Sequence, residues 1–126
     1  MAKSIQLKNS NNEKIYPNTV IEKKLNNGET SIKYSDGTMV CYGSKSVTYS
    51  INDMWSWCNR TALLTIEFSK TFKDVPSVTI SSNTFEVIGV NISTVSASNF
   101  KFYGFQPKNC SQKTMKLSYI AIGKWK

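Results

Sequence analysis

Side chains able to do covalent or acid–base chemistry are scarce in this sequence. Its 126 residues hold no histidine, three cysteines (Cys41, Cys58, Cys110) and eight carboxylates: Glu13, Glu22, Glu29, Asp36, Asp53, Glu67, Asp74 and Glu86. Without histidine, neither a Ser-His-Asp nor a Cys-His nucleophile can be assembled, and a His-based metal site is excluded. Neither common glycine-rich phosphate loop is present. A glycosidase needs two carboxylates facing one cleft. Here most sit in turns or between lysines, and they are read as solvated surface charges. The odd cysteine count, with no CxxC pair, argues against a disulfide framework or zinc site and for three buried or half-buried thiols. The expectation is no enzyme, no metal and no cofactor.

Binding chemistry is better represented. Trp55-Ser56-Trp57 places two indoles on one side of an extended chain, and Tyr49, Phe85, Tyr103 and Phe105 add further rings. Rings of this kind either stack on a sugar's C–H face or fill a core or subunit interface. Trp57, Phe102 and Trp125 are read as core or interface, while Trp55 and Tyr103 stay open between the two roles. The net charge is +8, and fifteen of the sixteen basic residues are lysine, the exception being Arg60. Reading bases or clamping phosphates in a bidentate way favours arginine. The scattered lysines therefore make a diffuse basic surface, suited to anionic polymers such as phosphate-bearing glycans but not a nucleic-acid site. Three N-x-S/T sequons, at Asn59, Asn91 and Asn109, are read as chance in an Asn- and Ser-rich chain.

The elements that must carry these groups are strands. Residues 31–34 alternate with period two, Ser35-Asp36-Gly37 follows, and Met39-Val40-Cys41-Tyr42 resumes the run. Asp-Gly between such runs predicts a hairpin with a type I′ turn and strands near 30–35 and 38–43. Further strands are predicted at 63–68, at 77–81 after Pro76, across 85–94 with Gly89 as a bulge or close-packing point, at 99–105, and at 115–123. The last becomes apolar on both faces around Ile120 and Ile122, which suits a central strand or one covered by a neighbouring subunit. Many short strands without room for helical crossovers predict an all-β fold, an antiparallel β-sandwich of about six to eight strands. One domain over residues 30–126 is expected, preceded by an irregular N-terminal arm or connector, 1–29, in which 20–25 is a short strand or a single helical turn. There is no run of about 18 apolar residues to insert in a membrane and no secretory signal at the N-terminus, so synthesis in a cytoplasm is expected.

Residues 34–43, Tyr-Ser-Asp-Gly-Thr-Met-Val-Cys-Tyr-Gly, resemble the SDGT-x-x-C-W/Y-G hairpin of phage tail-fibre C-terminal domains. Residues 117–126 resemble their closing WIAIGRW segment, with Tyr119 for Trp and Lys124 for Arg. Between them, Ile66 to Phe72 followed by Val75-Pro76-Ser77-Val78 is similar to a strand pair of H-type lectins. The resemblance implies an H-type lectin-like sandwich in a homotrimer whose closing strands pack about the three-fold axis. It also implies a place in the virion at a fibre or baseplate tip beside other tail proteins, and a host cell-surface glycan or polysaccharide as partner. H-type lectins use an acidic residue after the P-x-V strand, an Arg, and aromatic or His residues in the last long loop. Here the first loop, Ser81-Ser82-Asn83-Thr84, has no acid, the last, Gly104-Phe105-Gln106-Pro107-Lys108-Asn109, has no His, and the Arg has no placed equivalent, so the lectins' sugar preference does not transfer. Asn83, Tyr103 and Gln106, with Trp55, are the expected glycan contacts. The competing readings are a trimerisation or attachment module with no ligand of its own, and a glycan depolymerase.

Overall fold

The computed structural model describes residues 7–8, 14–15, 18–55, 58–83 and 89–126. Among them there is no helix. The strands are β1 (Leu7–Lys8), β2 (Lys14–Ile15), β3 (Val20–Asn26), β4 (Glu29–Tyr34), β5 (Thr38–Trp55), β6 (Cys58–Thr61), β7 (Leu64–Glu67), β8 (Ser77–Ser82), β9 (Gly89–Val95), β10 (Asn99–Gln106) and β11 (Cys110–Lys124). β1 and β2 pair with each other, and the other nine form one antiparallel sheet, a strand more than the upper expectation.

That sheet doubles over at β5. Residues 38–51 of β5 pair with β11, and residues 39–43 pair with β4 on the other edge. Residues 51–55 then leave this group and pair with β6, across a bulge between Ile51 and Asp53. One layer thus runs β3-β4-β5-β11-β8. In the other, β10 pairs with β9 on one edge and with β7 and β6 end to end on the other. The sandwich closes on a shared core of Met39, Cys41, Ile51, Met115, Leu117 and Ala121 from the first layer against Ile66, Phe100 and Phe102 from the second. Phe100 and Tyr119 meet across it with ring centroids 5.4 Å apart. Burying each of the two phenylalanines contributes roughly 1.5–3 kcal/mol before ordering costs.

Strand parity follows the sequence on β10 and β11. On β10, Phe100, Phe102, Gly104 and Gln106 point inward, and Lys101, Tyr103 and Phe105 point outward. On β11, Met115, Leu117, Tyr119 and Ala121 are buried, while Ile120 and Ile122 are 40% and 48% exposed. β11 is central, held by β5 on one side and β8 on the other.

Several expectations are corrected. The 34–38 turn is not type I′: the Gly37 amide donates to the Tyr34 carbonyl at 3.0 Å, and of Asp36 and Gly37 only Gly37 has a positive φ, 94°. Asp36 Oδ1 accepts the Thr38 amide at 2.8 Å, which holds its carboxyl below the usual range. The two-residue turn with both φ angles positive lies instead at Asn27 (50°) and Gly28 (80°), joining β3 to β4. Residues 20–25 are therefore strand, not helical turn. The bulge expected at Gly89 falls instead at Lys101/Phe102, in the pairing of β10 with β9. Glu29 is not a solvated surface charge but fully buried. The thiols agree with expectation: Cys41 and Cys58 are buried, Cys110 is half-buried, and none is bridged.

Candidate functional site

The expected contact residues are not gathered at one spot. Asn83 follows β8 in the first layer. Its amide N–H donates to the Lys116 carbonyl, and its Nδ2 donates to Ser118 Oγ at 3.0 Å. Trp55 ends β5 opposite Cys58, and its side chain lies outside the described part, as do Trp57 and Phe85. Tyr103 and Gln106, both on β10, point to opposite faces because they are an odd number of residues apart. Gln106 is 8% exposed, its Nε2 donates to the Lys108 carbonyl at 2.8 Å, and its Oε1 is buried with no hydrogen-bond partner among the described residues. Tyr103 lies on the outer face beside two residues that the sequence offered as a further ring and as the lone arginine but not as expected contacts.

Those residues are Arg60 and Phe105. β6 pairs with both β5 and β10, so Asp53, Arg60 and Phe105 stand directly across from one another, and Gly89 of β9 completes the row. Arg60 Nε donates to Asp53 Oδ2 at 2.9 Å, and the guanidinium lies 4.5 Å from the Tyr103 ring centroid. The Tyr103 and Phe105 rings are 6.4 Å apart, and Asn91 stands exposed opposite Tyr103. The signal in the sequence was the solitary arginine, since a stacked, paired cation is a role lysine fills poorly.

The outer face of the first layer is a different surface. Register sets Leu25, Thr30, Tyr42, Ile120 and Thr79 in one row and Lys23, Ile32, Val40, Ile122 and Ser77 in the next. Leu25 is 77% exposed and Tyr42 39%. A shallow groove of about 580 Å³ crosses this face between Tyr42, Ile120, Thr79, Ser81 and Ser118. Further along, Ser44 Oγ and Ser118 Oγ are 2.8 Å apart and the face becomes polar. Apolar side chains side by side over three neighbouring strands are unusual on a solitary soluble domain.

Beneath this face, the Glu29 carboxylate ties four segments. Tyr119 Oη donates to Oε2, and the Ser69 amide and hydroxyl donate to Oε1 at 3.0 and 2.8 Å. Lys45 Nζ is 3.9 Å from Oε2. Burial, and next the neighbouring Glu29 charge, push the Cys41 thiol up to about 12; burial and the hydrogen bond to Glu29 raise Tyr119 as well. This carboxylate is walled off by core and serves structure.

No protein-family model and no curated protein matches the sequence. The fold, however, is found in solved structures. An N-truncated R1-type pyocin tail fibre is similar with a TM-score of 0.59 at 15% identity, over 85% of both chains. The C-terminal part of the P. aeruginosa R1 pyocin fibre is similar with a TM-score of 0.60 at 15% identity; 85% of this chain is matched, and it spans 28% of that one. The tail-fibre domain fold implied by residues 34–43 and 117–126 is the fold the chain adopts.

Proposed function

We propose that the chain is the receptor-binding head of a phage tail fibre, carried in the virion with other tail proteins, which assembles as a homotrimer and binds a host-surface glycan without catalysis. The observation that carries the reading is the apolar outer face of β4, β5 and β11, with Ile120 and Ile122 exposed by 40% and 48% in the single chain. Covering what remains of each isoleucine is worth roughly 1 kcal/mol per side chain. The likeness to tail-fibre structures supports the same reading from the fold. Trimeric display would raise weak single-site binding through effective concentration.

Light scattering on the purified protein, with Ile120→Asp as control, tests the assembly; a trimer that the substitution reduces to monomers is expected. A monomer at micromolar concentration would sink the reading. The same trimer applied to arrayed bacterial surface polysaccharides tests the ligand class, and a trimer that adheres to none of them would leave an attachment module.

A further inference from the structure

Gly89 opens β9 opposite Phe105, and no described residue requires a glycine there. Its φ lies outside the left-handed region, and no described atom comes within 4 Å of where a Cβ would stand. A glycine inside a strand costs about 0.5–1 kcal/mol relative to alanine. Glycine in a strand is one mark of close approach by a ligand or another backbone. The irregularity between β9 and β10 lies elsewhere, at Lys101/Phe102. The open space lies on the outer face, at the end of the Asp53–Arg60–Phe105–Gly89 row, which spans three strand spacings or roughly 14 Å.

We propose that this row is a saccharide subsite for an uncharged sugar ring with vicinal hydroxyls, seated over Gly89 beside Phe105; it rests on the receptor-binding reading above. A sugar ring has an apolar C–H face and a hydroxyl rim. The paired rings of Phe105 and Tyr103 offer the apolar surface. The Asp53 carboxylate, 53% exposed, accepts hydroxyl protons, and Arg60 and the exposed Asn91 amide donate. Arg60 is pre-set by its bond to Asp53 and its position over Tyr103, so little rotamer freedom is lost on binding. Because the ion pair sums to zero charge, a uronate or phosphate meets the Asp53 carboxylate without a surplus cation to offset it. The nearest lysine on this face of β10, Lys101, is four residues and roughly 13 Å along the strand from Phe105.

Gly89→Val tests this, because valine suits a half-buried strand position and meets no described atom, so fold and assembly should stand. The full chain, 15N-labelled, is titrated with methyl α-galactoside, methyl α-glucoside, methyl N-acetylglucosaminide and galacturonate, and light scattering and melting are recorded for wild type and variant. The amide signals of Gly89, Asn91 and Phe105 should move with at least one neutral glycoside and not with galacturonate, and Gly89→Val should weaken that response by about tenfold or more. Shifts centred elsewhere, no shifts in the wild type, or a response unchanged by the valine would overturn the subsite. So would a change of assembly state in Gly89→Val without sugar, since a sister subunit would then occupy the space. Polysaccharide adherence that survives Gly89→Val overturns the subsite while leaving the receptor reading intact; a wild type that adheres to no polysaccharide and answers to no glycoside overturns both.

Discussion

Tyr119→Phe removes one oxygen from the middle of the molecule and little else. The ring is 4% exposed and 5.4 Å from Phe100, and phenylalanine keeps both the burial and that contact. What is lost is the donor to Glu29 Oε2. Glu29 is 0% exposed, and its other oxygen keeps the Ser69 amide and hydroxyl. Oε2 is left with Lys45 at 3.9 Å, too far for a hydrogen bond, and the Cys41 thiol is a weak donor nearby. A hydrogen bond to a charged group is worth about 1.5–3 kcal/mol, and a buried carboxylate deprived of a donor falls at the upper part of that range, so the expected loss is about 2–3 kcal/mol. For 126 residues the unfolding entropy is about 0.26 kcal/mol per degree, so Tm should fall by about 8–11 °C. Thermal and urea unfolding at neutral pH measure it, at one fixed protein concentration because assembly shifts apparent stability. The double variant Tyr119→Phe/Glu29→Ala should cost less than the sum of the single substitutions, since each single substitution already removes the bond between them. A loss under about 0.5 kcal/mol, or strict additivity, would refute the Glu29 tie.

Two further outcomes follow from the same core. The Cys41 thiol, ordinarily at 9.0, is pushed up to about 12, and Tyr119 is raised from 10.0. In each case the unfolded chain releases its proton first, so their contribution is complete below pH 9 and is lost as pH rises. Unfolding free energies from urea titration should hold from pH 6 to 8 and then fall at up to about 1.4 kcal/mol per pH unit per group, and Tyr119→Phe should flatten the part above pH 10. Gly43→Ala should lower stability by about 3 kcal/mol in the same assay, because its methyl would collide with the Gly28 carbonyl oxygen where β4 and β5 approach.

Strands whose inward side chains are large and apolar were legible: 99–105 alternate, 115–119 alternate before the run turns apolar on both faces, and β10 and β11 keep that parity. β4 misleads because its polarity is reversed. Glu29 and Ser31 face the core while Ile32 faces out, since Tyr119 and Ser69 satisfy the carboxylate inside and the apolar side belongs to the exposed face. β6, Cys-Asn-Arg-Thr, carries no apolar alternation and exists by pairing with the end of β5 just before it and with the distant β10, which local pattern cannot reveal. The proposed site was legible only in part, through Tyr103, Phe105 and the lone Arg60. The Asp53–Arg60–Phe105–Gly89 row needs the register of three strand pairings, and register is set by tertiary packing.

The tail-fibre-like motifs are two halves of one packing unit. Val40 stands opposite Ile122 and Tyr42 opposite Ile120. The Trp125 amide donates to the Gly37 carbonyl at 2.9 Å, and its indole N–H donates to the Tyr34 carbonyl at 2.8 Å, so the end of the chain clasps the hairpin turn. Buried Cys41 and Ala121 are also paired across β5 and β11. These motif residues thus serve folding or the apolar outer face, and none belongs to the Arg60 row. Likeness in these segments therefore reports the scaffold, while the proposed sugar subsite lies at positions between the motifs. That division predicts that substitutions at Arg60, Phe105 or Gly89 alter what is bound without altering assembly, and that substitutions at Ile120 or Ile122 do the reverse.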